Sequence, residues 1–461
     1  MRASLFVFVL SLLLLVQQGT ITGIDGESSY RVTRSLVEDA DITLSASAPH
    51  TAEGRDGNPY SKFGIGLPLL SAIPYVLAKP FEQAAGDQIL RSAVATLMPV
   101  ITAILCLVLY EIGRALVGRP RDAVVIALVA VFGTYLLVYS KDFFSEPLLA
   151  LAIALAFWRT IADHPTQAAA CLAFGMLTRP QAALVAPLFW LYWLVRCGPR
   201  RSLLPGLVLA AGAGSLLLYN WLRFEDVTES GYPADQGFRA AFWEGAWGLL
   251  TEPHKSILLF APLVGALPFG IRLLWKRGQK APASLAACLL LVGLLTAAGW
   301  SVWWGGWTWG PRLALPALIP LLPVLAPWIG RNARNRRVVV VLGAVGALVN
   351  LPAVIVPTLA QYAERSERDG PAVARQYELI HPTLRNTVRN RQTDDSRLRL
   401  PDPGVGEAFA RSRQAYLWQI EARRELGRGG WLVIAAISLL LVGAAVASGI
   451  SLRRALRTAE A

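Results

Sequence analysis

Apolar runs of about 20 residues, most of them closed by arginine or lysine, recur along nearly the whole of this 461-residue chain. A helix of about that length is needed to cross ~30 Å of hydrocarbon with every backbone hydrogen bond satisfied internally. Soluble domains carry about 25% charged residues. Here 16% are charged, 54% are hydrophobic and the mean hydropathy is +0.45, so an ordinary soluble fold is excluded. The expected fold is an all-α polytopic membrane bundle. Its runs fall at 4–22, 92–112, 122–140, 146–162, 167–178, 180–196, 203–222, 256–275, 283–301, 312–329, 338–358 and 431–452, about twelve spans. The 167–178 piece is short and Pro180 follows it, so it is expected to be half of a broken or tilted pair buried among neighbours.

Charge sets the topology. The net charge of +13 does not point to nucleic acid, because the arginines and lysines cluster at the ends of apolar runs rather than among exposed aromatics. The segment 63–80 decides the count: it carries Pro68, Pro74, Pro80 and two glycines, breakers that suit a re-entrant or surface-lying piece. If it does not cross, the groups around Arg114, Arg196, Arg272, Arg331 and Arg453 all lie inside with Arg2, as the positive-inside rule asks. Both termini are then cytoplasmic in a bacterial plasma membrane, and the loop 23–80 faces outside. The N-terminus resembles a signal peptide but lacks a small-x-small cleavage site, so an uncleaved first span is expected. The four cysteines lie in apolar runs or at their basic ends and imply no disulfide framework. Three regions follow: a transmembrane catalytic domain over 1–358, an extracytoplasmic helical insert over 359–429, and a final helix with a cytoplasmic tail over 430–461.

The outer segments carry the candidate chemistry. Asp25 and Glu27 sit where the first span meets water. A carboxylate there can deprotonate a hydroxyl nucleophile, though such a pair also simply marks the solvated end of a span. Lys62, Arg179, Lys255 and Arg312 lie at outer ends of spans, against the usual bias. A phosphate at headgroup level would answer that, and snorkelling to lipid is the plainer alternative for any one of them. Five tryptophans crowd the link from Trp300 to Arg312 alongside Gly305-Gly306 and Gly310-Pro311, where flat indoles and close-approaching backbone suit a sugar face. Asp142 and Glu146 flank a span start, where a carboxylate also complements the helix dipole. Of four scattered histidines, His254 beside Lys255 is the one expected near a site. No metal-ligand spacing is present, and a divalent cation held by Asp25 or Glu27 stays an open option.

With those residues in view, the chain resembles the polytopic glycosyltransferases of the GT-C fold, of the protein mannosyltransferase and aminoarabinose transferase type. The resemblance covers roughly residues 1–330 and lies in the order of short motifs. These are Asp25-Gly26-Glu27, Tyr60 to Leu69, Ser145-Glu146-Pro147-Leu148, Thr178-Arg179-Pro180, Glu252-Pro253-His254-Lys255-Ser256 and the Trp304–Arg312 link. Trp303-Trp304-Gly305-Gly306 lacks the aspartate of the W-W-D-Y-G stretch of oligosaccharyltransferases, which disfavours that subclass. The resemblance implies inverting transfer of one sugar from a polyprenyl-phosphate donor to a hydroxyl of a lipid or cell-envelope glycan. Asp25 is then the expected base with Glu27 in reserve, and Lys62, Arg179, Lys255 and Arg312 bind the donor phosphate. Tyr30, Glu146, His254, Trp304, Trp307 and Trp309 are expected on the acceptor and sugar side. A transporter of a lipid-linked glycan is the competing reading, and it would require mid-span charges and inverted repeats.

Overall fold

The computed structural model describes residues 1–117, 119–234, 236–238, 242–355, 417–419, 422 and 430–460. The insert expected over 359–429 therefore lies, apart from 417–419 and 422, outside the described residues. Among the described residues, six helices are long and apolar enough to cross a membrane: Asp87–Leu116, Pro199–Phe224, Lys280–Gly299, Arg312–Ile329, Ala333–Ile355 and Gly430–Ala459. The protein is an integral membrane protein. Shorter apolar helices fill the interior between these, and Glu146–Ile161 is buried along nearly its whole length. The four cysteines are free.

Several expected spans are broken, each at a recognisable residue. The first helix, α1 (Arg2–Leu15), stops well short of residue 22. Gln17-Gln18-Gly19 follows it, with Gly19 at φ +75°. The orphan carbonyls of Leu14 and Leu15 accept hydrogen bonds from Trp418 Nε1 at 2.9 Å and Gln419 Nε2 at 2.8 Å. The run at 256–275 is three pieces, Ile257–Phe260, Pro262–Ala266 and Leu267–Lys276. Its break is Ala261 (φ −144°, ψ 69°), because the residue before a proline is pushed out of the helical region. Arg312–Ile329 alternates α and 3-10 turns around Pro316, Pro320, Pro323 and Pro327. Each proline removes a backbone donor, and this is tolerated because neighbouring helices enclose the segment.

Polar contacts gather one set of helix ends together. Arg2 pairs with Glu111 at 2.6 Å, Ser4 meets Ser451 at 3.0 Å, Arg119 donates to the Gly330 carbonyl at 2.7 Å and Arg336 pairs with Asp122 at 2.8 Å. The opposite end carries the long loop after α1. There α2 (Ile24–Glu38) is followed by a hairpin, β1 (Thr51–Glu53) with β2 (Pro59–Ser61), antiparallel with Thr51 opposite Ser61. Then comes α3 (Gly66–Ala78), which buries Leu67, Ser71, Tyr75 and Ala78 on one face and exposes Leu69, Ile73, Val76 and Leu77 on the other. Its 13 residues rise about 20 Å, too short to cross hydrocarbon.

Candidate active site

The end of the bundle bearing α2 holds a cavity of about 510 Å³, and five of the sequence-selected charges line it: Asp25, Lys62, Asp142, Arg179 and Arg312. They come from widely separated stretches, and local chemistry aims each one. Asp25 sits in the first turn of α2, whose dipole favours a carboxylate there. Gly26 beside it packs against the turn 142–144. A Cβ at that position would lie 2.7 Å from the Phe143 carbonyl oxygen, so the glycine lets the helix close on the turn.

Lys62 and Arg179 are joined by a second glycine contact. In the Phe63-Gly64-Ile65-Gly66 stretch, side chains at either glycine would collide with Leu177 or Thr178, the last residues of the helix Pro165–Thr178. With glycine the two segments touch, and Lys62 and Arg179 face the same space. Arg179 leaves that helix extended (φ −152°, ψ 134°), as a residue before proline does. Arg312 follows Gly310 (φ +61°) and Pro311, and begins the proline-punctuated segment.

The charges form a chain. Arg312 reaches Asp25 Oδ2 through Nη1 at 2.8 Å and Glu146 Oε1 through Nε at 3.1 Å. Arg179 reaches the same Glu146 oxygen through Nη2 at 2.7 Å and donates through Nε to Ser145 Oγ at 2.6 Å. Glu146 is fully buried, shared between the two guanidiniums and outside the cavity lining. Lys62 lies over the rings of Tyr232 and Phe63, at 5.1 Å and 5.5 Å, and among the described residues no carboxylate pairs with it. Burial lowers its pKa, and the Asp25 charge opposes that shift. Burial pushes the pKa of Asp25 up, but Arg312, His50 and Lys62 overcome this and hold the carboxyl well below its ordinary range. Within this chain of contacts three cations against two carboxylates leave one positive charge in excess, suited to an anion, while the further lining carboxylate, Asp142, is opposed by the charge of Lys141 beside it.

Of the remaining sequence-selected residues, Trp307 and Trp309 also line the cavity and the others are placed outside its lining. Glu27 is fully buried on the far side of α2, paired with Arg91 at 2.5 Å and Arg31 at 2.8 Å. Tyr30 joins that network, donating to Asp87 at 2.5 Å with the Arg91 guanidinium 4.3 Å from its ring centroid. Lys255 is buried under the tryptophan link, donating to the carbonyls of Thr308 at 2.5 Å, Gly310 at 3.3 Å and Gly306 at 3.4 Å. Burial, then Arg312, drives its pKa well below the ordinary lysine value. His254 and Trp304 are half-buried outside the cavity lining. Trp307 and Trp309 do line it, and Trp309 is anchored by its Nε1 on Asn350 at 2.9 Å.

One lining residue was passed over in the sequence. His50 places Nε2 3.4 Å from Asp25 Oδ1 and presents its ring edge to Phe63. No spacing pattern signals it, because the contact depends on hairpin register. Among the described residues, no group of three or more His, Cys, Asp or Glu side chains is arranged to hold a metal ion.

No protein-family model matches the chain, and no curated protein does. Solved structures do match. The chain is similar to ArnT from Cupriavidus metallidurans bound to undecaprenyl phosphate, at TM-score 0.51 and 16% identity over 98% of this chain and 75% of that one. It is also similar to the oligosaccharyltransferase of Archaeoglobus fulgidus in the apo form, at TM-score 0.53 and 12% identity. That match covers 89% of this chain and 64% of the other, so the chain spans less than two thirds of that enzyme's length. At these identities the likeness is one of fold: the chain has the GT-C fold of polytopic membrane glycosyltransferases, as the order of its motifs led us to expect.

Proposed function

We propose that the protein is a membrane glycosyltransferase that moves a single sugar from a polyprenyl-phosphate donor to a hydroxyl of a lipid or cell-envelope glycan. The observation that carries this reading is the convergence of Asp25 with Lys62, Arg179 and Arg312 on one cavity. The GT-C fold, and the undecaprenyl phosphate bound to ArnT, support a lipid-phosphate donor. The site end lies opposite the arginine-bearing helix ends, which supports an extracytoplasmic site with both termini in the cytoplasm.

In this reading the donor phosphate sits against Lys62, the cation that no carboxylate grips among the described residues, with Arg179 and Arg312 beside it. The acceptor hydroxyl attacks C1 of the sugar from the face opposite the phosphate. Its proton passes to Asp25, a new C1–O bond forms, and the old C1–O bond breaks with its electron pair leaving on the phosphate. Inversion follows from the single displacement. The cations stabilise negative charge as it grows on the leaving phosphate. Trp307 and Trp309 supply flat walls for the sugar or acceptor.

The test is purified protein in liposomes offered a panel of radiolabelled polyprenyl-phosphate sugars and an envelope-lipid extract as acceptor. Label should leave the donor lipid with wild type and stay on it with Asp25→Asn. Movement of intact donor between leaflets without release would overturn the reading in favour of a transporter.

A further inference from the structure

His50 is held in an unusual conformation at the mouth of the hairpin. Because Thr51 faces Ser61, the residues just outside that pair, His50 and Lys62, are cross-strand neighbours, and the Lys62 N–H donates to the His50 carbonyl at 3.4 Å. The hairpin is in turn tied to α2 by Ser28 Oγ and Ser61 Oγ, 2.8 Å apart. One register thus delivers both side chains to Asp25. His50 has φ +58°, a left-handed conformation that side chains avoid and that gathers at functional sites.

The two oxygens of Asp25 are not equivalent. Oδ2 is taken by Arg312 at 2.8 Å, so Oδ1, with His50 Nε2 at 3.4 Å, is the oxygen left to meet an acceptor hydroxyl. We infer that His50, in the neutral tautomer that carries its proton on Nδ1, is the proton outlet of the base, receiving on Nε2 the proton that Asp25 takes from the acceptor and passing it to water. The inference rests on the glycosyltransferase reading and adds a residue to it. The geometry offers such a partner. A carboxylate facing Arg312 and Lys62, and held well below its ordinary range, cannot keep a proton at neutral pH. An imidazole is the side chain best suited to take it. The charged groups near His50 are Asp25 from α2, Lys62 from the end of β2 and Arg312 from the proline-punctuated segment. The step balances: the acceptor O–H bond breaks, the proton crosses Oδ1 to Nε2, and the electron pair of the old C1–O bond departs on the phosphate. About a third of the His50 side chain is exposed, which gives the proton a way out.

The experiment compares wild type, His50→Gln and His50→Gly in the liposome assay, with rates followed across pH. Glycine adopts φ +58° freely, so His50→Gly keeps or improves the fold while opening a space where the ring stood. Both variants should lose about 10²-fold in transfer at neutral pH with donor KM unchanged. Millimolar imidazole in the buffer should restore His50→Gly. Adding His50→Gln to Asp25→Asn should cost nothing further, since the two act as one unit. Active wild type with full-rate variants, or a loss in His50→Gly that imidazole does not rescue, would overturn the inference while leaving the glycosyltransferase reading intact. A wild type that releases no label from any donor would overturn the reading, and this inference with it.

Discussion

Asp25 and Glu27 are two residues apart in one helix turn, yet they do opposite things. Positions i and i+2 on an α-helix point about 200° apart, so one carboxylate faces the cavity and the other faces α3 and the helix Asp87–Ala95. Glu27 meets Arg91 and Arg31 and is wholly removed from solvent. Asp25 gives one oxygen to Arg312 and keeps the other beside His50 at the edge of an open volume. A buried carboxylate with both oxygens gripped is a fastener; one with an oxygen to spare is available for chemistry. Gly26 between them lets the helix lie close enough for both arrangements to hold at once.

That contrast can be broken by substitution. The largest effect expected is Asp25→Asn on transfer, a loss of about 10⁴-fold or roughly 5 kcal/mol of activation free energy, with the protein still inserted in the membrane. Glu27→Ala should reverse the pattern by stranding Arg91, at about 3–5 kcal/mol of stability read by thermal or denaturant unfolding. If Glu27→Ala melted like wild type and lost only turnover, the two carboxylates would have to exchange roles. Gly26→Ala, forced against the Phe143 carbonyl, should cost about 2 kcal/mol and lower transfer as Asp25 shifts. Lys62→Ala should raise the donor KM about tenfold, near 1.4 kcal/mol, without moving the melt.

The smallest effect is expected on mild acidification. The carboxyl of Asp25 is held well below its ordinary 3.8, so the stability it contributes is fully present above that value and is lost only as pH falls through the lower folded one. The melting difference between wild type and Asp25→Asn should therefore stay constant from pH 7 to about 4.5. A difference that closes in that interval would mean Asp25 is gaining a proton there.

The bundle and the position of the site were legible because they depend on period and order. Apolar runs announce helices, Lys62, Arg179, Lys255 and Arg312 stand out as cations at outer ends of spans, and Asp25 as a carboxylate where the first span meets water. What depends on side-chain direction was not legible. Lys255 looks like its fellow cations in sequence, but its ammonium is spent on three carbonyls of the tryptophan link. His50 is invisible without the hairpin register, and Glu146 reads as a helix cap until two arginines from distant segments are seen to converge on it. Helix breaks were legible only in part. Four prolines in 312–329 mark an interrupted helix plainly, whereas the early stop of α1 needs Gly19 and the polar pair before it to be weighed against thirteen preceding apolar residues or so.

The closing of the carbonyls at the end of α1 by Trp418 and Gln419 bears on how the protein is made. α1 also packs along the helix Gly430–Glu460, where Ser4 meets Ser451. The neighbours that complete this helix leave the ribosome some 400 residues after it, an interval of about 20–80 s at ordinary elongation rates. Until then one wall of the cavity, residues 16–23, hangs from a helix end with its acceptors unmet. The cavity should therefore be completed late in biogenesis, and a chain released early would be inserted in the membrane with that wall unsupported.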